Sequence, residues 1–135
     1  MFLLDTNVIS ELRRVRPHRA VVAWLSGVSD EALHISAVTI GEIQSGIELA
    51  RENDPAKAAE IEEWLDQVVR AYNVVPMDVR AGRIWGRLKH RLPLNQTADA
   101  MIAATAISLG LTVVTRNRRD FEAFGVPILD PFEPN

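Results

Sequence analysis

Short apolar runs alternate with longer segments of helical period along this chain, and that alternation is its strongest structural signal. Phe2, Leu3 and Leu4 form the first run, which stops at Asp5; the polar trio Asp5, Thr6 and Asn7 then leads into a short helix expected over residues 8–13. Pro17 predicts the first turn of a second helix, carrying Val21, Val22, Trp24 and Leu25 and ending near Gly27. Residues 33–36 predict a brief strand. A helix is expected from about Ala37, with Val38, Ile40, Ile43, Ile47 and Leu49 as its apolar positions. Gly41 and Gly46 weaken that helix by propensity and predict close packing or backbone approach. Asp54 followed by Pro55 is the clearest helix start, and Ile61, Trp64, Leu65, Val68, Val69 and Tyr72 follow at helical spacing, read as core.

The second half repeats the alternation. Residues 73–75 predict a strand, Asp78 a cap for a helix carrying Ala81, Ile84, Trp85 and Leu88, and residues 97–109 another helix closed by Gly110. Residues 111–115 are the best strand of the sequence, β-branched and bounded by turn signals, and residues 126–129 are a last short one. Short apolar strands separated by helices argue for a parallel sheet with helices on both faces, hence an α/β fold. At 135 residues, with no internal repeat, low-complexity tract or linker, a single domain over residues 1–135 is expected.

Composition narrows the chemistry. Without cysteine there is no disulfide framework, thiolate metal site or cysteine nucleophile, and no stretch approaches the ~18 apolar residues of a membrane span, so a cytoplasmic protein is expected. His18, His34 and His90 lack metal-ligand spacing and read as structural or surface groups. The net charge is -3, yet 12 of the 15 basic residues fall in three clusters: Arg13, Arg14, Arg16 and Arg19; Arg80, Arg83, Arg87, Lys89 and Arg91; Arg116, Arg118 and Arg119. Arg grips phosphate in a fork, although a solvated helix face explains much of the second cluster equally well. Acidic residues gather between Glu48 and Asp66, which predicts a two-signed surface.

Four places put an acidic or amide group where a strand meets a helix, or on a helix close to such a junction. Asp5 follows the first strand, Glu42 lies about two turns into the helix after the second, Asp99 sits in the first turn of the helix before the best strand, and Asn117 and Asp120 follow that strand. Each has a structural reading. Asp5 or Thr6 would cap a helix, Asp99 would favour a helix N-terminus, Asp120 would cap the turn around Phe121, and Asn117 tolerates turn conformations. Taken together they have a functional one: converging carboxylates repel unless a cation joins them, and hard oxygen donors without Cys or paired His favour Mg²⁺ or Mn²⁺ over Zn²⁺.

Four motifs carry a resemblance across essentially the whole chain, in order: Asp5, Thr6 and Asn7 at the N-terminus; residues 35–42 ending in Glu42; residues 97–105 around Asp99; and residues 114–121 holding Thr115, Arg116, Asn117 and Asp120. Together they resemble a PIN domain, and more closely the toxin components of VapBC and FitAB toxin–antitoxin pairs. The resemblance implies a metal-dependent ribonuclease with Asp5, Glu42 and Asp99 on its main acidic positions and Thr115 as a polar companion. Many relatives carry an Asp where Asn117 stands, so either Asn117 or Asp120 completes the site.

The implied chemistry is in-line attack of metal-activated water on phosphorus, leaving a 3′-hydroxyl and a 5′-phosphate. Arg clusters, Arg13, Arg14 and Arg116 among them, would hold the RNA, with Thr6 and Asn7 as polar support. Implied partners are a cognate antitoxin that blocks the site, a structured RNA such as a tRNA, DNA only through the antitoxin, and a second copy of the chain. The stretch around Val21, Val22, Trp24 and Leu25 is a candidate dimer face, core being its other reading. Two alternatives stand: a PIN-like module that binds RNA or protein without cutting, and a metal-dependent phosphohydrolase of another α/β family.

Overall fold

The computed structural model describes residues 1–91 and 97–133. Its strands are β1 (Phe2–Leu4), β2 (Leu33–Ser36), β3 (Asn73–Val75), β4 (Thr112–Val114) and β5 (Ile128–Leu129), hydrogen-bonded in the order β3-β2-β1-β4-β5. Every pairing is parallel, and Leu3 of the central strand stands opposite His34 on one side and Val113 on the other. The chain winds outward from β1 through β2 to β3, then crosses back and winds outward again through β4 and β5. Winding therefore reverses between β1 and β4. In open α/β sheets such a reversal opens a crevice at the carboxyl ends of the two strands, where ligands bind. Asp5 is the first residue after β1, and Thr115 the first after β4.

Because successive strand residues face opposite sides, each buried pair in the central strands feeds two cores. Leu3 and Val113 pack with Leu88 of α5 (Val79–Arg91), with Ala100, Ile102 and Ala103 of α6 (Thr97–Leu109) and with Phe121 of α7 (Arg118–Glu122). Leu4 and Val114 pack on the opposite side with Val8 and Ile9 of α1 (Thr6–Glu11), Val21 of α2 (Arg19–Ser26) and Val68 of α4 (Pro55–Ala71). A third seam of Ile47, Ala58 and Leu65 joins α4 to α3 (Ala37–Asn53). The α/β class and the parallel sheet flanked by helices are those expected from the alternation.

Local signals account for most helix starts. Asp54 Oδ1 accepts from Lys57 N at 3.1 Å, Asp78 Oδ1 from Ala81 N at 2.9 Å, and Ser36 Oγ from Val38 N at 3.0 Å. Gly110, at φ +68°, ends α6 in the left-handed region that only glycine enters freely.

Several expectations need correction. Pro17 does not open α2: Glu11 Oε1 accepts the His18 N–H at 2.7 Å, and His18 Nδ1 then caps Ala20 N at 3.2 Å, so the helix begins at Arg19. The first helix begins at Thr6 rather than Val8, because Asp5 is its cap. Leu49 and Val69 are 65% and 44% exposed. Leu49 lies ~200° around the helix from Ile47, and Val69 ~100° from Val68, so neither faces the seam its neighbour fills. No close approach occurs at Gly41 or Gly46, where a Cβ would meet nothing within 4 Å. Of the candidate dimer stretch, Val21 is core and Trp24 and Leu25 pack against it, leaving only Val22 turned outward. Among the described residues no helix is long and apolar enough to cross a membrane.

Leu3, fully buried in the central strand, gives the fold a direct test. Leu3→Ala should cost about 3 kcal/mol in urea unfolding through lost burial and a cavity. Val15→Ala, at a position 99% exposed, should change stability by less than about 0.5 kcal/mol.

Candidate active site

Asp5 is both a helix cap and a cleft residue. Its N–H donates to Val114 O at 2.9 Å, extending the β1–β4 ladder by one step. Asp5 Oδ1 accepts from Thr6 N at 2.8 Å, which starts α1. Asp5 Oδ2 accepts from Thr115 Oγ1 at 2.8 Å and from Asn7 Nδ2 at 3.3 Å. Thr115, itself fully buried, accepts in turn from Asn117 N at 3.0 Å, and Asn7 Oδ1 accepts from Arg116 N at 3.2 Å. The segments leaving β1 and β4 are thereby joined side chain to side chain and side chain to backbone.

Above this network lies a cleft of about 290 Å³ lined by Asp5, Thr6, Asn7, Glu42, Asp99, Asn117 and Asp120. More voluminous hollows exist, one of about 810 Å³ along α5. Converging polar groups mark a site more than volume does, and the carboxylates are in the small cleft. α3 brings Glu42, α6 brings Asp99 in its first turn, and α7 brings Asp120 in its own.

The carboxylates feel one another. Burial, followed by the charges of Asp5, Asp120 and Glu42, pushes the Asp99 carboxyl up to about 6. Burial also raises Asp5, against the hydrogen bonds from Thr115 and the Thr6 N–H that favour its ionised form, and Asp120 raises it further. Glu42, exposed at the rim, is raised by partial desolvation and then by Asp5. The Thr6 hydroxyl lies near enough to Glu42 to favour its ionised form. It nonetheless makes no hydrogen bond of acceptable geometry, although its oxygen is buried. Among the described residues, no three His, Cys, Asp or Glu groups stand close enough to one point to chelate an ion as placed.

Mutual repulsion and an orphaned hydroxyl in one polar cleft suit a cation. Hard oxygen donors with no thiolate fit a divalent ion of the Mg²⁺ or Mn²⁺ type. A cation shared by Asp5, Glu42 and Asp99 would replace their repulsion by coordination.

Seven of the residues singled out from sequence line the cleft, and Thr115 lies beneath it. Arg116 contributes its backbone N–H, while its guanidinium lies over the Phe132 ring at 4.6 Å. Arg13 and Arg14 are not brought to the cleft. Arg14 pairs with Glu11 at 3.4 Å, and Arg13 lies 5.8 Å over the Trp64 ring. Asp120 does not cap its helix: Asn117 holds the cap position, without a side-chain bond. Sequence reasoning missed Asp130 and Glu133, which share an adjoining hollow with Arg116, Arg118 and Arg119. No motif or periodicity marks them.

Residues 2–126 match the family model described as PIN domain, and the chain belongs to that family. Ribonucleases of this family are generally metal-dependent. The chain is similar to VapC ribonuclease Y4jK of Sinorhizobium fredii, 38% identical over 141 residues and covering 99% of each chain. It is similar to toxin FitB of Neisseria gonorrhoeae, 34% identical over 139 residues with 98% of this chain and 99% of that one covered. The crystal structure of FitAcB from Neisseria gonorrhoeae matches it with a TM-score of 0.86 at 34% identity, covering 99% of this chain and 100% of that one.

The raised Asp99 value generates a stability test. Folded, cation-free protein holds the Asp99 proton up to about pH 6, against the ordinary value of 3.8. The folded state therefore binds more protons between these values, and stability falls as pH rises through that window. Asn cannot ionise, so Asp99→Asn should melt above the wild type in chelator at about pH 7.5, the gain shrinking toward zero by about pH 4. Calorimetry at both pH values checks it; a variant melting no higher at the upper pH contradicts it.

Proposed function

We propose that this chain is the toxin of a toxin–antitoxin pair and a metal-dependent endoribonuclease that hydrolyses RNA phosphodiester bonds with Mg²⁺ or Mn²⁺. The observation that carries this reading is the convergence of Asp5, Glu42, Asp99 and Asp120 on one cleft at the reversal of winding. The similarity to a VapC ribonuclease and to toxin FitB supports the activity and the class of RNA substrate.

Asp5, Asp99 and Glu42 would hold the metal. When bound, the cation supplies Lewis acidity and offsets the charge that develops on the phosphate. The chain does the remainder. Thr115 and the Thr6 N–H fix the Asp5 carboxylate so that it does not reorient as charge develops. Asp120 completes the acidic set, since its charge is felt at both Asp5 and Asp99. Asn117 lines the cleft as a neutral polar group and holds Thr115 through its backbone N–H. Arg116, Arg118 and Arg119 stand beside the cleft, where phosphates flanking the cut would lie.

The expected setting is cytoplasmic. A cognate antitoxin would cover the cleft, any DNA would be contacted through the antitoxin, and a structured RNA such as a tRNA is the expected substrate. Homodimerisation belongs to the same reading. A second reading, a module that binds RNA without cutting it, draws on the neutral Asn117 and on carboxylates that do not yet meet at one ion position.

Cleavage separates the two. Purified chain with Mg²⁺ or Mn²⁺ should cut a pool of cellular RNA into discrete fragments bearing 5′-phosphates. Chelator should abolish the cutting, and Asp5→Asn should slow it at least ~100-fold. Intact RNA in the presence of folded wild type and either metal would favour the binding module.

A further inference from the structure

We infer that the outer face of α5 is a tract that binds the phosphodiester backbone of RNA outside the cleft, an inference that rests on the proposed ribonuclease reading for its choice of ligand. At ~100° per residue Arg80, Arg83, Arg87 and Arg91 fall within roughly 80° of arc, and they span ~16 Å of helix. All four are exposed, and α5 contains no Asp or Glu from Val79 to Arg91. The apolar side of the same helix, with Ala81 and Leu88, is turned to the core, so the arginine arc is a separate face.

Among the described residues no carboxylate forms an ion pair with these arginines. Holding four like charges in one arc without counter-charges costs stability, as like-charged neighbours on a helix do. A polyanion would offset that cost. Arg83, Arg87 and Arg91 also border a groove of about 810 Å³ whose apolar wall is Ile84 of α5 and Ile107 of α6. Gly86 lies in this groove, and a Cβ there would meet nothing within 4 Å, so a strand could approach the helix backbone closely.

Charge across the molecule fits the same ligand. Acidic Glu60, Glu63 and Asp66 are exposed on α4, which packs on the Leu4 side of the sheet, whereas α5 packs on the Leu3 side. With a net charge of -3, the chain would repel RNA from most of its surface and attract it at the clustered arginines. α5 packs along α6, whose first turn carries Asp99 of the cleft.

The test measures binding in chelator, where no cleavage is needed. Fluorescence anisotropy with a labelled single-stranded RNA of about 30 nucleotides and mixed sequence would compare the full wild-type chain with the Arg83→Glu/Arg87→Glu variant. At about 100 mM salt the variant should bind at least ~10-fold more weakly, and the slope of log affinity against log salt should fall by about 1.4, at ~0.7 per lost contact. Arg83→Gln/Arg87→Gln should lie between the two, and circular dichroism shows that each variant is folded. Lys57→Glu/Arg70→Glu, with the same change in net charge but on α4, should stay within about 2-fold of wild type.

A wild type with no measurable RNA affinity would overturn the inference, as would equal affinities, or an equal loss in the α4 variant. Loss of a wild-type dimer in the variant with RNA affinity unchanged would make the face an interface between copies, and also overturns it. Failure of the nuclease reading looks different: no cleavage with metal, while the binding loss in chelator persists.

Discussion

Thr115 donates to Asp5 across 2.8 Å, between residues 110 positions apart in sequence, and the arrangement of the cleft depends on that contact. It joins the ends of β1 and β4 where the winding of the sheet reverses. A carboxylate buried there needs donors, since an unpartnered charge away from water is strongly disfavoured. Thr115, the Thr6 N–H and Asn7 supply them. The same contact fixes which way the second oxygen of Asp5 faces, and so where Glu42, Asp99 and Asp120 can meet it. The sheet order makes the contact possible: with β4 anywhere but beside β1, Thr115 would not reach Asp5.

The cleft works against the fold that holds it. Four acidic groups line one small cavity, and burial together with mutual repulsion raises Asp5, Glu42 and Asp99 above their ordinary values. Sites shaped for function commonly carry such a cost, and the surrounding cores offset it. Here the offset comes from two apolar layers, which fully bury Leu3 and Val113 on one side and Leu4 and Val114 on the other.

Elements with local signals were legible in the sequence. Asp54 before Pro55, Asp78, and Gly110 mark their helix ends through contacts within a turn, and the structure places the boundaries there. The acidic residues at strand ends were legible because a parallel sheet brings all its carboxyl ends to one side. What was not legible depends on distant partners. Pro17 suggested a helix start, but the buried Glu11 carboxylate takes the His18 N–H and delays it. Leu49 and Val69 are apolar yet outward, since helical period alone does not say which seam exists to fill. Arg13 and Arg14 resemble phosphate grips in sequence but are held by Trp64 and Glu11. The choice between Asn117 and Asp120 was open in sequence because both lie in one turn. Asp120 acts on Asp5 and Asp99 by charge, whereas Asn117 reaches Thr115 through its backbone.

Calorimetric titration of Mn²⁺ into the purified chain tests most directly whether this cleft is a cation site built from repelling carboxylates. The account predicts saturable binding that raises the melting temperature of the wild type and disappears in Asp5→Asn/Asp99→Asn, which remains folded. Equal binding by both proteins, or no binding by the wild type, would contradict it.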